Sequence, residues 1–119
     1  MTDPASLAER YIAVWNERDP GRRSALVAET FAEGATYGDP LAEVEGHAGI
    51  EGLVAAVQAQ FPDFSFAPTG RVDAYGDRLR FSWTLGPLTG PAVAGGTDFA
   101  TMASGRFTSV VGFLDFAPG

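Results

Sequence analysis

Ala35-Thr36-Tyr37-Gly38-Asp39-Pro40 sets a carboxylate at the end of a short β-like run and then stops the run. Proline lacks a backbone donor and fixes its own φ, so a central strand does not continue through Pro40. An aspartate at such a boundary is either a turn-former, Asp-Pro being a common turn dipeptide, or a base waiting at the mouth of a pocket. The stretch also divides the chain. Before it, and again from Ile50 to Phe61, apolar residues recur at helical spacing; from Phe64 onward they recur at every second position.

Working outward towards the N-terminus, Asp3-Pro4 and Asp19-Pro20 each read as a helix start, with Asp as N-cap and Pro at the first helical position. Leu7, Tyr11 and Trp15, widened by Ile12 and Val14, form the apolar stripe of the first helix, and Asn16 to Asp19 is its polar exit. Leu26, Val27 and Phe31 continue the second, which Glu33-Gly34 is expected to end. Beyond Pro40, Leu41 to Gly46 reads as an acidic connector into a third helix through Ile50, Leu53, Val54, Val57 and Phe61, closed by Pro62. Gly49 and Gly52 in its first turn imply close packing or a frayed start.

The rest reads as strands. Phe64 to Phe66 and Arg71 to Tyr75 form one strand interrupted by a bend at Pro68 and Gly70, and Gly76-Asp77 suits a type II′ hairpin. Leu79, Phe81, Trp83 and Leu85 alternate with Arg80, Ser82 and Thr84. Val93 to Met102 and Phe107 to Phe116 follow around a turn at Ser104-Gly105. Helices first and a β-meander afterwards predict an α+β fold, with an antiparallel sheet wrapped on helices.

At 119 residues the chain is expected to be one domain, residues 1–119. With 45% hydrophobic and 19% charged residues its composition is that of a soluble globular protein. No apolar run is long enough to span a bilayer, and Met1-Thr2-Asp3-Pro4 begins no leader of the basic-then-apolar kind, so no membrane partner and a cytoplasmic location are expected. The net charge of −7 argues against nucleic acid as a partner. The absence of cysteine and the single histidine exclude thiolate sites and a His-rich metal centre, and the absence of lysine excludes Schiff bases on its side chain. What remains is chemistry by Asp, Glu, Tyr, Arg, His and hydroxyls, with no metal or cofactor expected.

Tyr11 is either a core tyrosine bonded to a carbonyl or a pocket donor to developing negative charge. Period two makes one of Asp98 and Phe99 point inward without saying which; an inward Asp98 would be a carboxyl that burial keeps neutral. His47, near a helix start, is either a satisfied surface residue or a base. Arg71 and Asp73 share a strand face as a surface pair. Trp15, Phe81, Trp83 and Phe113 read as core, though aromatics at this density also line cavities for flat apolar ligands.

Arg10-Tyr11-Ile12-Ala13-Val14-Trp15-Asn16, the Phe31 to Pro40 segment and the late meander together resemble the nuclear transport factor 2-like superfamily over nearly the whole chain. Within it the chain is similar to SnoaL-like proteins, a group that includes polyketide cyclases. The resemblance implies a cone, with three N-terminal helices packed on a curved antiparallel sheet that encloses a deep pocket, and a homodimer formed through the sheet. The pocket would take a small apolar or aromatic ligand, with Trp15, Tyr37, Phe81, Trp83, Phe113 and His47 as candidate substrate-binding residues.

Ketosteroid isomerase, of the same superfamily, has an oxyanion tyrosine in an Arg-Tyr segment, which Arg10-Tyr11 matches. Its general base ends an Ala-Thr-x-x-Asp-Pro run, which Asp39 matches, and its protonated aspartic acid precedes a late-strand phenylalanine, as Asp98 does. The catalytic set so implied is Asp39, Tyr11 and Asp98, and the reaction is proton transfer next to a carbonyl, in an isomerase or a polyketide-cyclase-like enzyme. A ligand-binding or dimerisation module without catalysis is the alternative the fold supports. Arg71-Val72-Asp73 is similar to the Arg-x-Asp strand of limonene epoxide hydrolase, but Gly112 stands where its second aspartate is expected, which counts against epoxide hydrolysis.

Overall fold

Each of the first two helices opens on an aspartate followed by a proline. In α1, Pro4–Asn16, the Asp3 carboxylate accepts from the Ser6 amide at 3.2 Å; in α2, Pro20–Thr30, Asp19 accepts from the Arg22 amide at 2.8 Å. Each cap satisfies one of the amides that a helix start leaves unpaired. The computed structural model describes residues 3–117; Met1 and Thr2, part of the segment searched for a leader, and Pro118 and Gly119 lie outside the described residues. Leu7, Ala8, Tyr11, Ile12, Val14 and Trp15 are buried on α1, the stripe its spacing predicts.

The second helix does not run to Glu33-Gly34. Phe31 is already extended, with φ −114° and ψ 139°, and opens strand β1, Phe31–Gly38. Its ring is fully buried, 5.8 Å from that of Phe107 and 6.1 Å from that of Tyr11. Burial of an aromatic in the sheet outweighs the local helical spacing, which is a weak preference by comparison.

The acidic connector holds a short strand, β2, Glu43–Glu45, antiparallel to β1. Helix α3, Gly46–Gln60, begins ahead of its first apolar position and buries Ile50, Val54 and Gln58. A Cβ on Gly49 would come within 3.2 Å of the Val44 side chain, so this glycine serves close packing. Two strands thus separate α2 from α3, and the helices do not precede the sheet as a block.

Strands β3, Phe64–Tyr75, β4, Arg78–Pro87, β5, Ala94–Ala103, and β6, Arg106–Phe116, form the meander. The register of β3 shifts between Thr69 and Asp73, around Gly70 with φ 67°. In the Gly76-Asp77 turn only the glycine has positive φ, as type II′ requires, whereas Ser104 and Gly105 both do, as type I′ requires.

The six strands lie in one curved sheet in the order β2-β1-β6-β5-β4-β3. The sheet is mixed and not wholly antiparallel, because β1 runs parallel to β6, with Tyr37 beside Val110. Parallel neighbours need a long crossover, and here it consists of β2, α3 and the first three strands of the meander. The helices cover one face, where Tyr11 meets Phe81 at 4.9 Å and Phe107 at 5.6 Å, both edge-on, the arrangement aromatic pairs favour. Among the described residues no helix is long and apolar enough to cross a membrane.

Candidate active site

Asp98 lies on β5 between Phe81 of β4 and Gly112 of β6. The inward member of the Asp98 and Phe99 pair is the aspartate, 1% exposed, while Phe99 is 45% exposed on the other face. Gly112 makes the room for it: a Cβ there would stand 2.7 Å from Asp98 Oδ1 and 3.6 Å from the Asp39 Cβ. The residue that the sequence marks only as a missing aspartate is therefore the gap between the two carboxylates. A glycine inside a strand is itself the signal of such a close approach.

Three aromatic groups hold the two acids. The Tyr11 hydroxyl donates to Asp98 Oδ2 at 2.6 Å, and the Trp83 indole N–H donates to Oδ1 at 3.2 Å. Burial pushes the Asp98 carboxyl up to about 6, against the pull of these two donors and with the help of the Asp39 and Asp115 charges. Burial first, and then the Asp98 charge, holds the Tyr11 phenol well above its usual range. The Tyr37 hydroxyl donates to Asp39 Oδ2 at 2.7 Å, and burial together with that bond raises its pKa as well. Asp39 Oδ1 accepts from the amides of Leu41 and Ala42 at 2.8 and 2.9 Å, so the aspartate organises the turn after β1 and also faces the cavity.

Tyr11, Tyr37, Asp39 and Asp98 line one cavity of about 450 Å³, together with Trp15, Trp83 and Gly112. Its remaining wall is largely apolar, with Ile12, Val57, Phe61, Phe66 and Leu85 among the lining residues. Phe113 reaches this cavity but is not core: it is 55% exposed, its ring edge-on to Phe99 at 6.0 Å, because it alternates with the inward Gly112. Phe81 and His47 do not line the cavity. Phe81 is buried beneath Tyr11, and the His47 Nε2 bonds the Phe31 carbonyl oxygen at 2.8 Å, tying α3 to β1. Asp73 pairs with Arg71 and Arg80 outside the cavity, as a surface cluster. Phe66 is a wall that sequence reasoning passed over; its place in an alternating strand was the available sign.

No curated protein matches the sequence. Among solved structures, a protein of the SnoaL-like family from Agrobacterium tumefaciens, provisionally described as an isomerase, superposes with a TM-score of 0.91 at 43% identity, over 97% of this chain and 99% of that one. A provisionally assigned ketosteroid isomerase from Kribbella flavida gives 0.71 at 22% identity over 98% and 80%. A provisionally assigned polyketide cyclase from Sinorhizobium meliloti gives 0.70 at 21% identity over 90% and 93%. The last two likenesses are likenesses of fold. The SnoaL-like domain family matches residues 8–110, and with the 43% identity over nearly the full length this chain belongs to the SnoaL-like family.

Proposed function

We propose that the cavity is the active site of an enzyme that moves a proton next to a carbonyl group, without metal or cofactor. The observation that carries this reading is the buried Tyr11–Asp98 hydrogen bond at 2.6 Å on the wall of the cavity that Asp39 also faces. In the reaction, Asp39 accepts the proton of a C–H bond adjacent to the carbonyl, and the electron pair of that bond passes to the carbonyl oxygen. Tyr11 donates to the enolate oxygen so formed, as does Asp98 below about pH 6, where its carboxyl holds a proton. Return of the proton from Asp39 to another carbon isomerises the substrate; attack of the enolate carbon on a second carbonyl closes a ring, and the proton held by Asp39 passes to the alkoxide oxygen so formed. The apolar wall and the aromatic rings suit a flat, mostly apolar substrate.

The test needs no knowledge of the natural product. A panel of cyclic enones and aromatic ketones is incubated in D2O and exchange of the C–H beside the carbonyl is followed by NMR. Wild-type protein is expected to accelerate exchange of at least one compound. Asp39→Asn should lose about 10²-fold to 10⁴-fold of that rate, and Tyr11→Phe should also lose rate. Exchange that survives both substitutions overturns the reading.

Ligand binding without turnover is the second reading, favoured by the state of Asp39, both of whose oxygens already accept hydrogen bonds. Saturable binding of an aromatic ligand with no exchange in any member of the panel would support it.

A further inference from the structure

The Trp15 indole N–H is buried and has no hydrogen-bond partner among the described residues. Trp15 is 7% exposed and lines the cavity. The other polar groups of its aromatic and acidic wall are all engaged: Tyr11 and Trp83 with Asp98, and Tyr37 with Asp39. A buried donor left unpaired costs free energy, and such groups are rare enough that each one calls for a physical reason. Among these aromatic and acidic groups, Trp15 holds the unspent donor.

Its neighbour is Tyr11, one helical turn back on the same face of α1, with the two rings 6.2 Å apart and tilted at 54°. Burial, the charges of Asp98 and Tyr37 and the hydrogen bond to Asp98 all oppose negative charge on the Tyr11 oxygen; the Trp15 N–H favours it. In the resting protein that oxygen gives its proton to Asp98. When the proton turns to a ligand oxygen on which charge develops, electron density on the phenol oxygen rises, and a neighbouring free donor that can turn to it becomes worth more.

We propose that Trp15 is a positioning residue for Tyr11: its indole N–H is taken up by the Tyr11 oxygen when the Tyr11 hydroxyl turns from Asp98 to the oxygen of a bound ligand. This rests on the reading of Tyr11 as the donor to that oxygen. It also narrows the ligand to one presenting an acceptor oxygen at the Tyr11 end of a flat apolar body. Among the described residues no arginine or histidine lines the cavity to hold a separate anionic group such as a phosphate.

The chain has two tryptophans, so ¹⁵N labelling yields two indole N–H signals, which Trp83→Phe assigns. The probe is 4-nitrophenol, and 4-nitrotoluene, of the same shape without the hydroxyl, is the control. The expected result is that 4-nitrophenol moves the Trp15 indole proton downfield, that 4-nitrotoluene does not, and that the shift is lost in Tyr11→Phe. Trp15→Phe, or β-(3-benzothienyl)alanine at position 15 to keep the ring shape without the N–H, should weaken 4-nitrophenol binding by about tenfold and leave 4-nitrotoluene nearly unaffected. If 4-nitrophenol affinity depends on Tyr11 while the Trp15 signal stays in place, this inference fails and the proton-transfer reading stands. If Tyr11→Phe leaves the affinity unchanged, or 4-nitrophenol does not bind, the role of Tyr11 fails and this inference falls with it.

Discussion

At Asp98 the chain keeps a carboxyl almost wholly out of water, and the effect on stability has a definite sign. Its folded-state pKa of about 6 stands above the ordinary 3.8, so between those values the folded protein holds a proton that the unfolded chain has lost. The stabilisation is full below the unfolded value and falls as pH rises towards about 6, by about 3 kcal/mol in all. Asp98→Asn keeps the shape and removes the titration. Urea unfolding at about pH 3 and about pH 7 should show wild type losing about 3 kcal/mol more than Asp98→Asn between the two. An identical pH dependence in the two proteins would mean that Asp98 is ionised at little cost in the folded state. The orientation of Asp98 was not legible in its own strand, since alternation allows either face. Gly112, brought opposite by β6, has no side chain and so leaves room for the inward carboxyl.

Among the elements, the junctions carry the polar work. Asn16, legible in sequence only as a polar helix exit, clamps α1 to β3: its Nδ2 donates to the Phe66 carbonyl at 2.9 Å and its Oδ1 accepts from the Phe66 amide at 2.7 Å. This holds Phe66, a cavity wall, in register with α1. Asn16→Ala strands both backbone groups and should cost about 2 kcal/mol, read as a lower urea midpoint with unchanged slope. Arg18 closes the far end of α3 in a similar way, donating to the carbonyls of Gln58, Phe61 and Phe64. The aspartate-proline starts of α1 and α2 were readable because a cap is a local event, complete within four residues. The ending of α2 was not, because Phe31 leaves the helix for a partner, Phe107, that lies far along the chain.

At the scale of the whole molecule, the face of the sheet away from the helices exposes Phe99, Val111 and Phe113. An apolar patch of this kind on a folded surface marks a place of contact. The expectation is that two copies pair through it, and light scattering coupled to gel filtration at micromolar concentration checks this. Wild type should run as a dimer and Val111→Glu as a monomer, with the charge introduced at the centre of the contact. A wild-type monomer across the concentration range would leave the patch without that partner. The net charge of −7 works against association, so the dimer should tighten as salt is added.

What the sequence determined by itself is whatever depends on near neighbours in the chain: three helices, the aspartate caps of the first two, the alternating strands, the two tight turns and the presence of an aspartate at the end of a stopped strand. Composition alone removed whole chemistries, since no cysteine or lysine and a single histidine are available. The tertiary structure decided the parallel seat of β1 beside β6, the inward face of Asp98, the withdrawal of His47 and Phe81 from the cavity, and the exposed place of Phe113. Each of these depends on which residue lies opposite across a ladder or beneath a helix. Spacing along a single strand or helix determines which side chains share a face, and only the neighbour that arrives from elsewhere determines which face is buried.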